Sequence, residues 1–451
     1  MAKNDNSIDR PGAFVRVIQI ATKIEPHELK AVMVSFIYVF SLMCGYYILR
    51  PIRDSLSSEF SDAELSTLYT ATFFMMLIVV PAYGYACTKI RLSRLLPWVY
   101  GFFSLNIMAF FLFVQIVPDS QWLGRVFYVW ASVFNLFVIS VFWSFMADMY
   151  SKDQARRLFG FIAAGASGGA IVGPAITVFL AEQVGSFNLL PISAVLIAVP
   201  IIFIRMLIKI RENDPAAHAN RAIQNLERPM GGNPFSGFAL FFKSPYLLGI
   251  GLFIIVYTFM NTVVYFQLKN MMVDVDPDTR TQIWAGIDLA VNILAGATQL
   301  FGTSRLTARF GLVGTLAIIP LLMIGGFMTL ALIPLLPVLI GLQIARRAGN
   351  YAITRPGREM LFTIVDPESK YKAKNVIDTV VYRGGDMTSA WMITGLSQGL
   401  GYGFAGIAAV AAAAAALWSL VAVSLGRSYD RRNAAHDDQV AATMSKANEP
   451  A

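Results

Sequence analysis

The sequence predicts an all-α polytopic membrane protein of about twelve transmembrane helices, arranged as two pseudo-symmetric bundles of six. Three observations carry this expectation: an apolar composition, regularly spaced apolar runs, and a repeat relating the two halves. Hydrophobic residues make up 56% of the chain and charged residues 14%, with a mean hydropathy of +0.58. Soluble domains hold about 45–50% and 25% respectively. Crossing a bilayer takes roughly 20 apolar residues per helix.

Apolar runs fall near 31–50, 66–87, 95–117, 123–148, 159–181 and 188–207, and then near 246–269, 281–302, 312–331, 333–353, 375–398 and 401–426. Their connections alternate in charge. One set carries Lys89, Arg91 and Arg94, then Lys152, Arg156 and Arg157, then Arg305 and Arg309, then Arg358, Lys370, Lys372 and Lys374. The opposite set, at 118–122, 183–187 and 399–401, is nearly free of basic residues. The positive-inside rule therefore places both termini in the cytoplasm of a bacterial-type inner membrane. The formal net charge of +8 is accounted for by these loops and needs no nucleic acid. The first 30 residues are polar, so the first span is expected to act as the insertion signal. The expected organisation is a cytoplasmic arm (1–30), a first bundle (31–207), a cytoplasmic linker (208–245), a second bundle (246–427) and a disordered cytoplasmic tail (428–451). Within the arm, 12–24 reads either as an amphipathic surface helix or as a disordered segment.

The halves repeat. Tyr46-Tyr47-Ile48-Leu49-Arg50 pairs with Tyr265-Phe266-Gln267-Leu268-Lys269 at an offset of 219. Gly84 and Arg91 match Gly302 and Arg309 at 218, and Gly168-Gly169 meets Gly384-Gly385 at 216. Two parallel six-helix halves resemble the plan of major-facilitator transporters, which implies a substrate site between the halves at mid-membrane.

Charges inside the spans are the candidate site. An ionisable group in the bilayer costs about 2.5–3.5 kcal/mol even on lenient scales, so each needs a partner or a role. Arg50 and Arg53 stand three residues apart and share a helix face, with Pro51 between them as a candidate kink. They read either as an anion clamp or as a pair snorkelling to the outer interface with Asp54 as counter-charge. Lys269, the repeat mate of Arg50, favours the clamp. Arg346 and Arg347 lie in the tenth span, Arg383 and Asp386 in the eleventh, and Asp288 beside Asn292 in the eighth. Asp288 and Asp386 are either proton carriers or neutralising partners. Tyr46, Tyr47 and Tyr265 are placed to stack on a ring or hydrogen-bond a ligand. No histidine falls in a span, which excludes a histidine proton relay there. Basic groups outnumber acidic ones among these candidates, pointing to a small anionic solute.

Gly160, Gly165, Gly168, Gly169 and Gly173 with Pro174 read either as close helix packing or as a partial antiporter signature of the major-facilitator fifth helix. Gly302-Thr303-Ser304-Arg305-Leu306-Thr307-Ala308-Arg309-Phe310-Gly311 resembles that superfamily's gating loop with its aspartate missing. No phosphate-binding loop, zinc helix or nucleophile elbow appears, so neither an ATPase domain nor an enzyme is expected. The two cysteines, Cys44 and Cys87, lie in apolar runs and suggest neither a disulfide nor a metal. No cofactor is expected.

Four stretches resemble the ATP/ADP antiporters of plastids and intracellular bacteria, at the edge of the major-facilitator superfamily. They are His27-Glu28-Leu29-Lys30; Leu49-Arg50-x-x-Arg53-Asp54; Phe142-Trp143 through Ser151, Arg156, Arg157 and Gly160; and Arg358-Glu359-Met360 through Asp366, Glu368, Lys370, Lys372, Lys374 and Asp378. Arg53 stands where that family has a lysine expected to touch nucleotide. Asp148 stands for an acidic residue near the end of the fourth helix. After Asp378 this chain reads Val380-Val381-Tyr382-Arg383-Gly384-Gly385-Asp386 in place of the family's Gly-Asn-Pro-Leu-Gly-Lys-Ser. The resemblance implies a monomeric alternating-access carrier of a nucleotide or other organic anion. Arg305 and Arg309 would then serve as gate residues. The lysines Lys370, Lys372 and Lys374 read either as a cytoplasmic gate bound by Asp366 and Glu368 or as ordinary positive-inside charge. The alternatives are a proton-coupled carrier of a siderophore, peptide or lipid-like metabolite, and a membrane enzyme or scramblase.

Overall fold

The computed structural model describes residues 24–90, 92–117, 120–212, 236–366, 373–374 and 376–447, and among these there is no strand. Twelve helical rods cross back and forth. The first six are α1 (Leu29–Leu56), α2 (Asp62–Lys89), α3 (Leu92–Ile116), α4 (Gln121–Met149), α5 (Lys152–Val184) and α6 (Leu190–Ala198 continued by Pro200–Glu212). A short helix, Ser236–Lys243, precedes α7 (Pro245–Met271), α8 (Pro277–Phe301) and α9 (Thr303–Leu332). Rod α10 runs Leu336–Gly349, takes a wide π turn at Asn350–Thr354, and continues as Arg355–Leu361. Rod α11 opens with a π turn at Ile377–Val381, runs Tyr382–Thr394 and ends in another at Gly395–Gly399. The last rod, α12, spans Phe404–Ala447.

Ten of these helices are long and apolar enough to cross a membrane. The two that fall short, α10 and α11, carry Arg346, Arg347, Arg383 and Asp386. Side-chain caps set several starts. Ser61 and Glu64 form a capping box on α2, and Ser151 and Gln154 form one on α5. That second cap explains why α5 begins at Lys152, well before the apolar run at 159.

Packing repeats between the halves. α1 packs on α5 as α7 packs on α11, and α3 packs on α6 as α9 packs on α12. Across the midline α5 meets α8, and α2 meets α11. The glycines make the closest approaches. A Cβ on Gly165 would stand 2.6 Å from the Phe36 carbonyl oxygen, one on Gly173 2.6 Å from that of Cys44, and one on Gly169 would strike that of Phe40. This ridge of three glycines at every fourth residue therefore serves close packing of α5 on α1. Its repeat mate Gly385 presses on Thr258 of α7, where a Cβ would lie 2.5 Å from Oγ1.

Pro51 lies inside α1, which continues past it from Leu29 to Leu56. Expectations for other elements are corrected. The 302–311 stretch is helical, not a loop. It forms the first turns of α9 and bends at Gly311, whose φ of 63° is open to glycine. The region after 427 is not a disordered tail as far as Ala447, because its alanine-rich sequence continues α12. Residues 1–23 and 213–235, covering most of the arm and linker, lie outside the described residues.

Candidate functional site

Between the two bundles lies a cavity of about 1340 Å³. Its deep end is formed by Arg50, Arg53 and Asp54 from α1, Tyr128 from α4, Tyr265 from α7 and Trp284 from α8. Its other end is lined by Arg355, Arg358 and Glu359 from α10, with Lys374 and Asp378 leading into α11. That end lies on the side of the chain termini.

The opposite side is closed by contacts between the bundles. Lys269 Nζ lies 2.8 Å from Asp62 Oδ1 and donates to the Phe60 carbonyl at 2.7 Å. Asp62 also accepts from Asn270 at 3.1 Å and from Ser397 at 2.9 Å. Arg280 reaches Glu59 at 3.2 Å, the Ser186 N–H donates to Asp278 at 2.7 Å, and Ser66 pairs with Thr394 at 2.8 Å. Just inside this plug, Tyr128 donates to Tyr265 and Tyr265 donates to Asp54, both at 3.2 Å.

The charges are arranged in pairs. Arg53 Nε donates to Asp54 Oδ1 at 3.0 Å. Arg50 has two long contacts, 3.5 Å to Asp54 and 3.6 Å to Asp288, and its Nε is buried without a hydrogen bond. Arg347 Nη1 lies 2.6 Å from the same Asp288 oxygen. Arg383 stands 3.4 Å from Asp386, whose Oδ1 is buried without a hydrogen bond. The Arg50 guanidinium lies over the Tyr47 ring at 5.8 Å, and that of Arg53 over Tyr128 at 5.6 Å. Among the described residues the lining has seven basic side chains against four acidic ones, so the cavity favours anions.

The structure thus gathers Arg50, Arg53, Asp54, Tyr46, Tyr47, Tyr265, Arg383 and Asp386 on one cavity, with Asp288 just behind the wall in ion-pair contact with Arg50 and Arg347. Arg50 and Arg53 face this cavity, not the outer interface, with side chains 16% and 15% exposed. Other candidates lie off this lining. Lys269 is spent on the plug and does not line the cavity, because it sits too near the end of α7. Arg346 is fully buried off the lining and donates to Gln343 at 2.7 Å, while its neighbour Arg347 faces the cavity. Asp148 is exposed and pairs with Arg211 at 3.4 Å. Arg305 and Arg309 lie exposed on the first turns of α9, away from the lining. Asp366 follows α10 off the lining, and Glu368, Lys370 and Lys372 lie outside the described residues.

Sequence reasoning overlooked Tyr69, Tyr257, Tyr351, Tyr382 and Gln343, all of which line the cavity. A signal for α10 was present. Gln343, Arg347, Tyr351, Thr354 and Arg358 recur at steps of three or four and so share one helix face.

Two of the motif stretches meet at the termini side. Glu28, just before α1, accepts from Arg157 at 2.9 and 3.1 Å and from Gln154 at 3.0 Å. Burial pushes the Glu28 carboxyl up, but these donors and the Glu25 N–H hold it below its ordinary value. At the cavity mouth, Arg358 bridges Glu359 and Asp378, each at 3.2 Å, and Lys374 also pairs with Glu359.

Residues 35–354, more than half of the chain, match the Major Facilitator Superfamily. The chain belongs to that superfamily. Membership makes it a transporter and not an enzyme, and it accounts for the paired six-helix bundles. Among curated proteins, this superfamily member is similar to ADP,ATP carrier protein 1 of Chlamydia trachomatis serovar D, at 23% identity over 83% of each chain. It is also similar to ADP,ATP carrier protein 1 of Chlamydia pneumoniae, at 22% identity over 93% of this chain and 95% of that one. Among solved structures, the nucleoside transporter NupG superposes with a TM-score of 0.56 at 16% identity, covering 90% of this chain and 99% of that one. The xylose transporter XylE from E. coli, in its inward open conformation, gives 0.60 at 12% identity over 87% and 94%. These likenesses to solved structures establish the fold.

Proposed function

We propose that this superfamily member is a secondary active transporter that carries a nucleotide or other organic anion across the inner membrane by alternating access. The observation that carries the reading is the convergence of Arg50 and Arg347, from opposite bundles, on one point of a cavity richer in basic than in acidic groups. Guanidinium groups bind phosphate and carboxylate in a bidentate fork, and tyrosines around them suit a planar ring. Both termini are cytoplasmic in this reading, so the plug faces the outside. Bundles 31–207 and 246–427 rock about the site, opening the plug as the mouth closes. The distant ADP,ATP carrier relatives favour a nucleotide among anionic cargoes.

Uptake of labelled ATP, ADP and a panel of organic anions into proteoliposomes tests this. The expected result is saturable uptake of at least one anion, reduced at least about tenfold in Arg53→Ala by loss of a charge-assisted contact. Uptake that is unchanged in the variant would remove Arg53 from the site. A second reading rests on Asp386, which faces the cavity with one oxygen free of hydrogen bonds. It is proton-coupled transport of a non-nucleotide solute, and uncouplers would abolish it.

A further inference from the structure

We propose that Asp288 is an internal counter-anion that holds the substrate's place between Arg50 and Arg347 in the empty carrier. The unloaded protein is thereby able to reorient and perform net transport. This rests on the reading of the cavity as an organic-anion site and adds how that site handles its charge when empty.

One carboxylate oxygen, Asp288 Oδ1, faces both guanidiniums, 2.6 Å from Arg347 Nη1 and 3.6 Å from Arg50 Nη1. Asp288 and Arg347 belong to the same bundle, and Arg50 to the other. The short contact therefore travels with its bundle, while the long one crosses the interface that must separate. Neither Asp288 oxygen meets hydrogen-bond geometry with any donor, so charge and not a directed bond holds the arrangement. A phosphate or carboxylate entering between the bundles takes over Arg50 without displacing Arg347.

Asp54 cannot perform this duty alone. It faces Arg50 at 3.5 Å but is shared with Arg53 at 3.0 Å and with Tyr265, so one carboxylate meets two guanidiniums. It also sits on α1 with Arg50 and out of reach of Arg347. The helix carrying Asp288 is pinned one turn on, where Asn292 Nδ2 donates to the Ala170 carbonyl of α5 at 2.8 Å. Asp288 is 1% exposed, in a position that closes off from water when both gates shut. An occluded empty site without it would hold Arg50 and Arg347 with too little opposing charge, a state that low dielectric strongly disfavours. Such a carrier would cross only when loaded. With Asp288 present, the empty crossing is compensated and the carboxylate competes with cargo for Arg50.

The test uses the full chain in proteoliposomes, with membrane potential clamped by potassium and valinomycin. ADP, ATP, glucose 6-phosphate and succinate are the probes. Initial uptake of the anion carried is compared in empty vesicles and in vesicles preloaded with the same unlabelled anion. Wild type is expected to fill empty vesicles at a rate comparable to preloaded ones. In Asp288→Asn, uptake into empty vesicles is expected to fall at least about tenfold relative to preloaded uptake, with a lower half-saturation concentration because the competitor is gone. Asp288→Glu should restore filling of empty vesicles. Wild-type uptake that requires preloading overturns the proposal, and that arm needs no variant. So does an Asp288→Asn protein with the wild-type ratio. If none of the four anions moves in any arm, the transporter reading falls as well.

Discussion

Replacing Arg347 with alanine is expected to reduce anion uptake by about 100-fold or more, with Arg50→Ala close behind. Removing one member of a buried ion pair costs about 3–5 kcal/mol, because its partner is left uncompensated. Each 1.4 kcal/mol is about tenfold in an equilibrium. For Arg347 the stranded partner is Asp288, 1% exposed and 2.6 Å away. The substrate loses its ligand from the second bundle at the same time, so binding no longer ties the halves together. Arg347→Lys keeps the charge but not the two-pronged geometry, and should recover only part of the activity. Arg346→Ala is the informative neighbour. Its side chain is off the lining and donates to Gln343, so its main effect should be on melting temperature, not on half-saturation. Uptake rates and detergent melting curves for the set separate these outcomes. Arg347→Ala uptake within tenfold of wild type would move the anion site toward Arg355 and Arg358 at the mouth.

The second large effect is expected at the plug. Lys269→Ala should shift the protein toward a form open on the plug's side by about tenfold or more, since the Lys269–Asp62 pair holds the two bundles together there. Lys269 is 1% exposed, so water does little to screen the loss. Asp62 would keep Asn270 and Ser397 as donors but lose its only cation among the described contacts. A cysteine at Ser66, fully buried beneath the plug against Thr394, reports on opening. In a background lacking Cys44 and Cys87, labelling by an impermeant thiol reagent supplied on the plug's side should accelerate in the variant. Asp62→Ala should do the same, and the double variant should show less than the summed effect. Unchanged labelling with a lowered melting temperature would make the pair a stabilising contact only.

Much of this architecture was written in the chain's periodicity. A bilayer punishes unsatisfied backbone and stray charge so strongly that apolar runs mark helices directly, and all twelve runs correspond to rods. Helix ends were less legible, because polar turns such as Lys152–Arg157 are helical without being apolar. The repeat misled at one place. Matching Arg50 with Lys269 assumes equal depth, yet Arg50 lies six residues before the end of α1 and Lys269 two before the end of α7. Four residues are about 6 Å along a helix, enough to move a cation from the cavity to the plug. Arg346 and Arg347 posed a different difficulty. Adjacent residues point about 100° apart, so only helix phase separates them, and the polar stripe from Gln343 to Arg358 carries that phase.

The two rods too polar to count as spans have a bearing on how the protein is made. A charged residue near mid-helix costs about 2.5–3.5 kcal/mol at the translocon, and α10 brings Arg346 and Arg347 near its middle while α11 brings Arg383 and Asp386. Neither segment is expected to partition into lipid by itself as it leaves the ribosome. α9 packs on α10, and α7 on α11, so earlier helices offer each polar rod a protein-lined berth. Membrane integration of α10 should therefore fail when it is presented singly between soluble reporters and succeed when α7 to α9 precede it, which glycosylation mapping of nested fragments would read. The residues that equip the cavity for anions thus also make assembly of the second bundle a cooperative event.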